Sequence, residues 1–266
     1  MSGAGRPSRV LVTGASRGIG RAVAEALMAR GEAVALSARD GALLEAVRAP
    51  AGADAAVVLR ADLSNAAEAE ALPARAAAAL GGLDAVVACA GVVEYREVGA
   101  IELSSLRRQL KINFESTFVM LQKAADLIAD AGGGSMVVVT STLVEHPAPM
   151  TAAYATSKAA LTAMARSFAL ELAPRGVRVN ALAPGVIDTE MVRVVRRRQG
   201  EPALSEVEAA GRVQQQLEAL RALHPLGRLG TARDVAQSAL YLLDADFVTG
   251  TVLTVDGGLS LGSGAM

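Results

Sequence analysis

The sequence predicts a doubly wound α/β protein: a parallel sheet of about seven strands with helices on both faces, in a single domain. Three observations carry that expectation. Short apolar runs alternate along the chain with stretches of helical periodicity. A glycine-rich turn, Thr13-Gly14-Ala15-Ser16-Arg17-Gly18-Ile19-Gly20, stands between the first apolar run and the first helical stretch. The chain is 52% hydrophobic but only 3% aromatic and has no Trp, so Ala, Val and Leu must build the core, as in buried parallel sheets.

The 266 residues are ample for a core. A net charge of −1 gives no global field for nucleic acid. Cys89 is the single cysteine, so no internal disulfide forms, and a reducing compartment fits. Met1 to Arg9 has no apolar core of a signal peptide, and no run reaches the ~18 apolar residues of a membrane span. The expectation is a soluble cytoplasmic protein with no nucleic-acid or membrane partner.

Val10 to Val12 reads as the first strand, the glycine turn follows, and a helix runs through Arg30 to a stop at Gly31. Ala33 to Leu36 is the second strand, which completes a βαβ unit. Glycines in such a turn let a pyrophosphate approach the backbone at a helix N-terminus. The spacing is G-x-x-x-G-x-G, which differs from the G-x-G-x-x-G dinucleotide fingerprint. Ser37-Ala38-Arg39-Asp40 follows. A carboxylate at the end of this strand suits a ribose 2′-hydroxyl and an Arg suits a 2′-phosphate; both types are present.

Val57 to Arg60 is a third strand, ending at Ala61-Asp62-Leu63, and an Ala- and Glu-rich helix comes next. Leu83 to Ala88 is a fourth strand, ending at Cys89-Ala90-Gly91. Leu106, Leu110, Phe114, Phe118, Leu121 and Ala125 then recur at helical spacing, which predicts one long helix from about Ser105 to Asp130. Asn113 lies beside that stripe, as either a buried side chain bonded to backbone or a group facing a site.

Met136 to Val139 is a fifth strand leading into Thr140 and Ser141, and a helix follows from Tyr154 to about Leu172, ended by Pro174 and Gly176. Val177 to Leu182 is a sixth strand, ending at Pro184-Gly185. Ser205 to Leu223 and Ala232 to Leu243 read as helices, and Thr251 to Val255 as the last strand. Gly14, Arg39, Asp62, Gly91, Ser141 and Pro184 all fall just after strands, so they should line one edge of the sheet, where ligands bind in this architecture.

Tyr154 and Lys158 stand one helical turn apart on one face. A free phenol has a pKa of about 10 and is a poor base at neutral pH. A nearby ammonium favours the phenolate, and a tuned Tyr exchanges a proton with an alcohol or carbonyl oxygen. Ser141 could bind that same oxygen. The bland alternative is a packed Tyr beside a solvated Lys.

Together these residues resemble the short-chain dehydrogenase/reductase family, in its ketoacyl-reductase-like branch, over Arg9 to Ser260. Thr13-Gly14-x-x-x-Gly18-x-Gly20 matches the family's cofactor turn, and Tyr154-x-x-x-Lys158 its catalytic motif, with Ser141 at the expected distance upstream. Asn113 matches the fourth catalytic position, and Pro184-Gly185-Val186-Ile187-Asp188-Thr189 the segment that touches the nicotinamide. The resemblance implies a Rossmann-type fold. It implies Tyr154 as acid/base, Ser141 orienting the substrate oxygen, Lys158 holding the nicotinamide ribose and lowering the Tyr pKa, and Asn113 holding a water that feeds protons to Lys158. The implied cofactor contacts are Gly14, Ser16, Arg17, Gly18, Ile19, Gly20, Arg39, Asp62, Leu63, Ala90, Gly91, Tyr154, Lys158, Pro184, Gly185, Ile187 and Thr189. The position at which an acidic residue selects NAD is Ala38 here, with Arg39 next to it and Arg17 close to the same ribose. The implied cofactor is therefore NADP(H) rather than NAD(H). The implied assembly is a homotetramer, since the helices from Ser105 and Tyr154 carry small or apolar residues on more than one face. The substrate class is a ketone/secondary-alcohol pair.

The chain departs from the family pattern in three places. Asn-Asn-Ala-Gly after the fourth strand is here Ala88-Cys89-Ala90-Gly91. The basic residue that acyl-carrier reductases place near the end of the long helix is absent from Ala129-Asp130-Ala131, although Arg175 matches a second docking position. The segment after Thr189 is longer than in the simplest relatives. That segment, residues 190–224, is expected to be a substrate lid with flexible points at Gly200 and Gly211. Its apolar underside would be Val192, Val194, Val195, Leu204, Val207, Val213, Leu217 and Leu220. The run Arg193, Arg196, Arg197 and Arg198 reads as a solvated face or, alternatively, as a site for an anionic substrate group.

Overall fold

The structure is a computed structural model that describes residues 8–196 and 200–262; Arg197 and Arg198 lie outside the described residues. The elements follow the alternation read from the sequence. β1 (Arg9–Thr13), α1 (Gly18–Ala29), β2 (Ala33–Ala38), α2 (Gly41–Arg48), β3 (Ala56–Arg60), α3 (Ala66–Leu80) and β4 (Ala85–Ala88) build the first half. The second half contains α4 (Leu103–Gln109), α5 (Ser116–Asp130), β5 (Gly134–Val139), α6 (Ala152–Leu172), β6 (Val177–Pro184), α7 (Glu206–Ala222), α8 (Ala232–Asp244) and β7 (Val252–Val255).

The seven strands form one sheet in the order β3-β2-β1-β4-β5-β6-β7, and every pairing is parallel. The order reverses between β1 and β4, which opens a crevice at their carboxyl ends. Val, Leu and Ala face both ways along the strands, because helices cover both faces. α3, α5 and α6 pack one face through Leu72, Met120, Leu121 and Leu161. α1, α2 and α8 pack the other through Val23, Leu27, Leu44, Val235 and Leu242. At the amino end of the sheet, Arg9 ties β1 to the approach to β4 by donating to the Asp84 carboxylate and the Gly81 carbonyl.

The structure differs from the sequence expectation in two places that matter to the site. β2 continues through Ser37 and Ala38, paired with Leu59 and Arg60 of β3, so Arg39 is the first residue off the strand. The expected long helix is divided: residues Leu110–Glu115 form a π-helical turn between α4 and α5. The apolar stripe continues through such a turn, so periodicity alone conceals it. The widened turn carries Asn113, and π turns within helices are frequent at functional sites.

Candidate active site

The glycine turn shows why its glycines are needed. Gly14 has φ +67, and a Cβ there would lie 2.9 Å from the Ala90 backbone N. The turns after β1 and β4 therefore touch, and Ala90 N–H donates to Thr13 Oγ1 at 3.3 Å. Gly18 has φ +54 and would meet Thr189 Cγ2 at 3.4 Å, which sets the start of α1 opposite the segment after β6. At Gly20 a side chain would run into the Gly14 carbonyl.

α1 starts at Gly18 with no side-chain cap and no acidic residue in its first turn. By contrast, Asp40 caps α2, Asn65 caps α3, and complete capping boxes close α7 and α8. The first turn of α1 thus presents uncapped N–H groups and the positive end of the helix dipole at the ligand-binding edge, where a pyrophosphate fits. Ser16 and Ile19 are half-buried in the same turn.

Arg17 is engaged elsewhere: its guanidinium pairs with Glu190 at 2.7 Å, both side chains exposed. Of the two arginines expected at the ribose, Arg17 is reached by a carboxylate of the next segment. Arg39 is exposed and makes no ion pair among the described residues. Asp40 is committed to the Leu43 N–H at 3.2 Å as the α2 cap. Asp62 accepts from Ser64 N at 2.9 Å, a backbone bond that holds its carboxyl below the usual range, and Leu63 is buried beside it.

The candidate catalytic wall is built from the end of β5, the start of α6 and the π turn. Ser141 follows Thr140 at the end of β5, and its Oγ accepts from Leu143 N at 3.2 Å, which leaves its own proton free to donate. Tyr154 and Lys158 are both buried on α6. Lys158 Nζ donates to the Val139 carbonyl at 2.8 Å and lies 5.7 Å from the centre of the Tyr154 ring.

The electrostatics correct the sequence expectation. Burial disfavours charge on both groups: it pushes the Tyr154 phenol upward, with Tyr95 adding to the rise, and pulls Lys158 down to about 8. Desolvation outweighs the attraction that proximity alone suggested. The neighbouring Cys89 thiol is pushed up to about 12 by the same burial, so it is not a reactive thiolate.

Asn113 is fully buried. Its Oδ1 accepts from Val92 N at 2.7 Å, and its Nδ2 donates to the Val92 carbonyl and to Ser157 Oγ, both at 2.9 Å. Ser157 Oγ donates onward to the Tyr154 carbonyl at 2.7 Å. Asn113 thus ties the loop after β4 to the helix of Tyr154 and Lys158, which is the first of the two alternatives left open by the sequence. A Cβ on Gly91 would stand 3.3 Å from Asn113 Oδ1 and 3.4 Å from Lys158 Nζ; the absence of a side chain there keeps a passage along the wall.

β6 closes the edge. The Pro184 carbonyl accepts from Thr142 Oγ1 at 3.3 Å, Gly185 packs against Asp256, and Ile187 bridges to Gly230. From there the chain enters the segment 190–224. Gln216 of α7 donates to the Val192 carbonyl at 2.9 Å. Leu217 is buried, whereas Val194 and Val207 are exposed, so those two valines leave the expected underside. Gly211 lies inside α7. Arg193 is bound by both oxygens of Asp188. Arg175 pairs with Asp126.

The structure therefore brings Gly14, Gly18, Ala90, Gly91, Ser141, Tyr154, Lys158 and Thr189 to one sheet edge. Ser157 and Tyr95 also belong there, and no pattern in the sequence marked them. A small cavity of about 50 Å³ adjoins Ser141 and is lined by Thr142, Val144, His146 and Thr162. A larger one of about 390 Å³ opens at the opposite, amino edge. Its Arg30 is paired with Asp244, and its Arg178 caps the Leu242 and Leu243 carbonyls; it is remote from this chemistry.

Sheet order, uncapped first helix and buried Tyr–Lys pair define a class of dinucleotide-dependent oxidoreductases. A family profile described as enoyl-(acyl carrier protein) reductase matches residues 14–260. An uncharacterized oxidoreductase of Methylorubrum extorquens is 35% identical, over 94% of this chain and 96% of its own length. The cis-4-hydroxycyclohexanecarboxylate dehydrogenase of Sinomonas cyclohexanicum is 34% identical, over 93% and 94%. A short-chain type dehydrogenase/reductase from Mycobacterium ulcerans superimposes with a TM-score of 0.84 at 31% identity, covering 96% of this chain and 90% of that one. The chain belongs to the short-chain dehydrogenase/reductase family.

Proposed function

We propose that the protein is an NADP(H)-dependent oxidoreductase that interconverts a ketone and a secondary alcohol, with Tyr154 as general acid/base. The observation that carries this reading is the burial of Tyr154 and Lys158 side by side on α6, next to Ser141 and at the same edge as the uncapped α1. Relatives whose names specify an alcohol substrate, such as the cyclohexanecarboxylate enzyme, support the same class of reaction.

The bound nicotinamide ring supplies or takes the hydride. The chain does the rest. α1 and the glycine turn hold the pyrophosphate, Asp62, Leu63 and Ala90 bound the adenine side, and Pro184, Gly185, Ile187 and Thr189 shape the nicotinamide side. Ser141 and Tyr154 donate to the substrate oxygen, where negative charge develops during reduction. A phenol pushed upward by burial keeps its proton at neutral pH, so Tyr154 stands ready as the donor. Lys158, at about 8, carries a charge below that pH and loses it above; that charge supports the phenolate in the oxidative direction. Asn113 positions Lys158 and Tyr154 through Val92 and Ser157.

Three features favour NADP(H): no carboxylate at Ala38, Asp40 committed to its cap, and Arg39 exposed without an ion pair among the described residues. Arg17 is held only by an exposed pair, worth about 0–1 kcal/mol, so exchanging Glu190 for a phosphate costs little. A cytoplasmic homotetramer is the assembly this reading implies. The test is absorbance at 340 nm with a panel of ketones and secondary alcohols, in both directions and with both cofactors. Turnover with NADP(H) preferred at equal concentrations is expected. Preference for NAD(H) overturns the cofactor assignment, and no nicotinamide turnover with any substrate overturns the reaction class.

A further inference from the structure

The segment after Thr189 carries arginines whose fates differ. Arg193 is bound by Asp188 and Arg212 by Glu201. Arg196 is bound by no carboxylate among the described residues. Its guanidinium carbon sits over the Tyr95 ring, 4.4 Å from the ring centre, and its Nε is buried with no hydrogen-bond partner. A buried donor left without a partner is costly, and a guanidinium held beside a ring offers its nitrogens as a fork that matches a planar oxyanion.

Tyr95 itself lies near Tyr154. The loop that bears it is fixed by Glu94, which takes Ser105 Oγ and Arg108 Nη1 and whose N–H donates to Gln109 Oε1. The next residue, Arg96, donates its N–H to the Met150 carbonyl at 3.0 Å. Met150 is four residues before Tyr154 and is the one non-glycine residue of positive φ among those described, at +66. The Tyr95 phenol is near enough to raise the Tyr154 phenol. Tyr95 therefore neighbours Tyr154 on one side and carries Arg196 on the other, which joins α6 to the segment after Thr189.

We infer that Arg196, braced on Tyr95, is the docking point for the carboxylate of an anionic substrate, a hydroxy acid or its keto acid, whose reacting carbon lies at Tyr154. A carboxylate meets Nε and one terminal nitrogen of a guanidinium in two parallel hydrogen bonds, which supplies the partner that Arg196 Nε lacks. The inference rests on Tyr154 being the proton donor of the proposed reaction, and it adds the substrate's charge.

Calorimetric titration of cyclohexanecarboxylate and its uncharged match, cyclohexanecarboxamide, tests this without requiring turnover. It is run with and without NADP+ on the unmodified protein, Arg196→Gln and Arg196→Lys. The unmodified protein should bind the carboxylate roughly 10- to 100-fold more tightly than the amide, the range for a charge-assisted pair. Arg196→Gln should bring that ratio close to one, and Arg196→Lys, which keeps the charge but not the fork, should retain part of it. Thermal melts show whether each variant is folded; if Arg196→Gln is not, the Lys variant carries the comparison. Equal affinity for acid and amide in the unmodified protein, no binding of either, or a ratio that survives Arg196→Gln overturns the inference. Because the readout is binding, a protein that turns over neutral alcohols but ignores the carboxylate sinks this inference alone, whereas absence of any nicotinamide turnover sinks the proposed reaction.

Discussion

The wall formed by Asn113, Ser157 and Lys158 and the segment after Thr189 are held by different physics. On the wall, Asn113, Ser157 and Lys158 are buried, and each is bonded to backbone or to another member. Removing one such partner leaves a buried polar group unmade. In the segment, Arg17–Glu190, Arg193–Asp188 and Arg212–Glu201 are largely exposed pairs, of the kind that contribute little and are screened by salt. Local stability should therefore be high where the proton moves and low where the substrate enters. The difference teaches that two neighbouring parts of one fold can be held by unlike forces, buried hydrogen bonds in one and exposed ion pairs in the other.

The largest expected effect is on the wall. Tyr154→Phe removes one hydroxyl from a packed ring. It should leave the fold and cofactor affinity in place and lower kcat by ~10² to 10⁴-fold, as loss of a general acid/base does. Steady-state rates beside a cofactor titration check it, and near-normal turnover would remove Tyr154 from the mechanism.

Next comes the charge on the wall. Lys158 falls from 10.5 to about 8 on burial, so holding the ammonium there costs roughly 3 kcal/mol. The sign follows from the folded pKa lying below the unfolded one. The cost is complete below about pH 8, shrinks between pH 8 and 10.5, and is absent above. Lys158→Met should therefore gain stability relative to the unmodified protein as pH falls through that window, then hold constant, even as its activity is damaged. Urea melts of both proteins from pH 7 to 11 measure the difference. A difference that does not change with pH would mean that Lys158 is solvated in the folded state.

Much of this was legible in the sequence. The strands end within two residues of their apolar runs, because a strand buried on both faces needs a continuous run of Val, Leu and Ala. Tyr154 and Lys158 stand one turn apart on α6, as their spacing predicts. The sequence did not show the π turn at Leu110–Glu115, because its apolar stripe continues unbroken through the wider turn. Nor did it show that burial dominates the Tyr154 and Lys158 protonation, since spacing reports neighbours but not water. Arg17, Arg193 and Arg196 look alike along the chain. Only the fold shows that Glu190 and Asp188 take the first two while Tyr95, about a hundred residues earlier, takes the third.

The most direct measurement replaces Val192 to Leu220 with a short Gly/Ser linker and reads substrate and cofactor separately. If the wall performs the chemistry and the segment selects the substrate, kcat/KM should collapse while the NADPH dissociation constant stays within a few-fold, because only substrate-side contacts are lost. A loss of cofactor affinity equal to the loss in kcat/KM would contradict the account and assign the segment to the cofactor site.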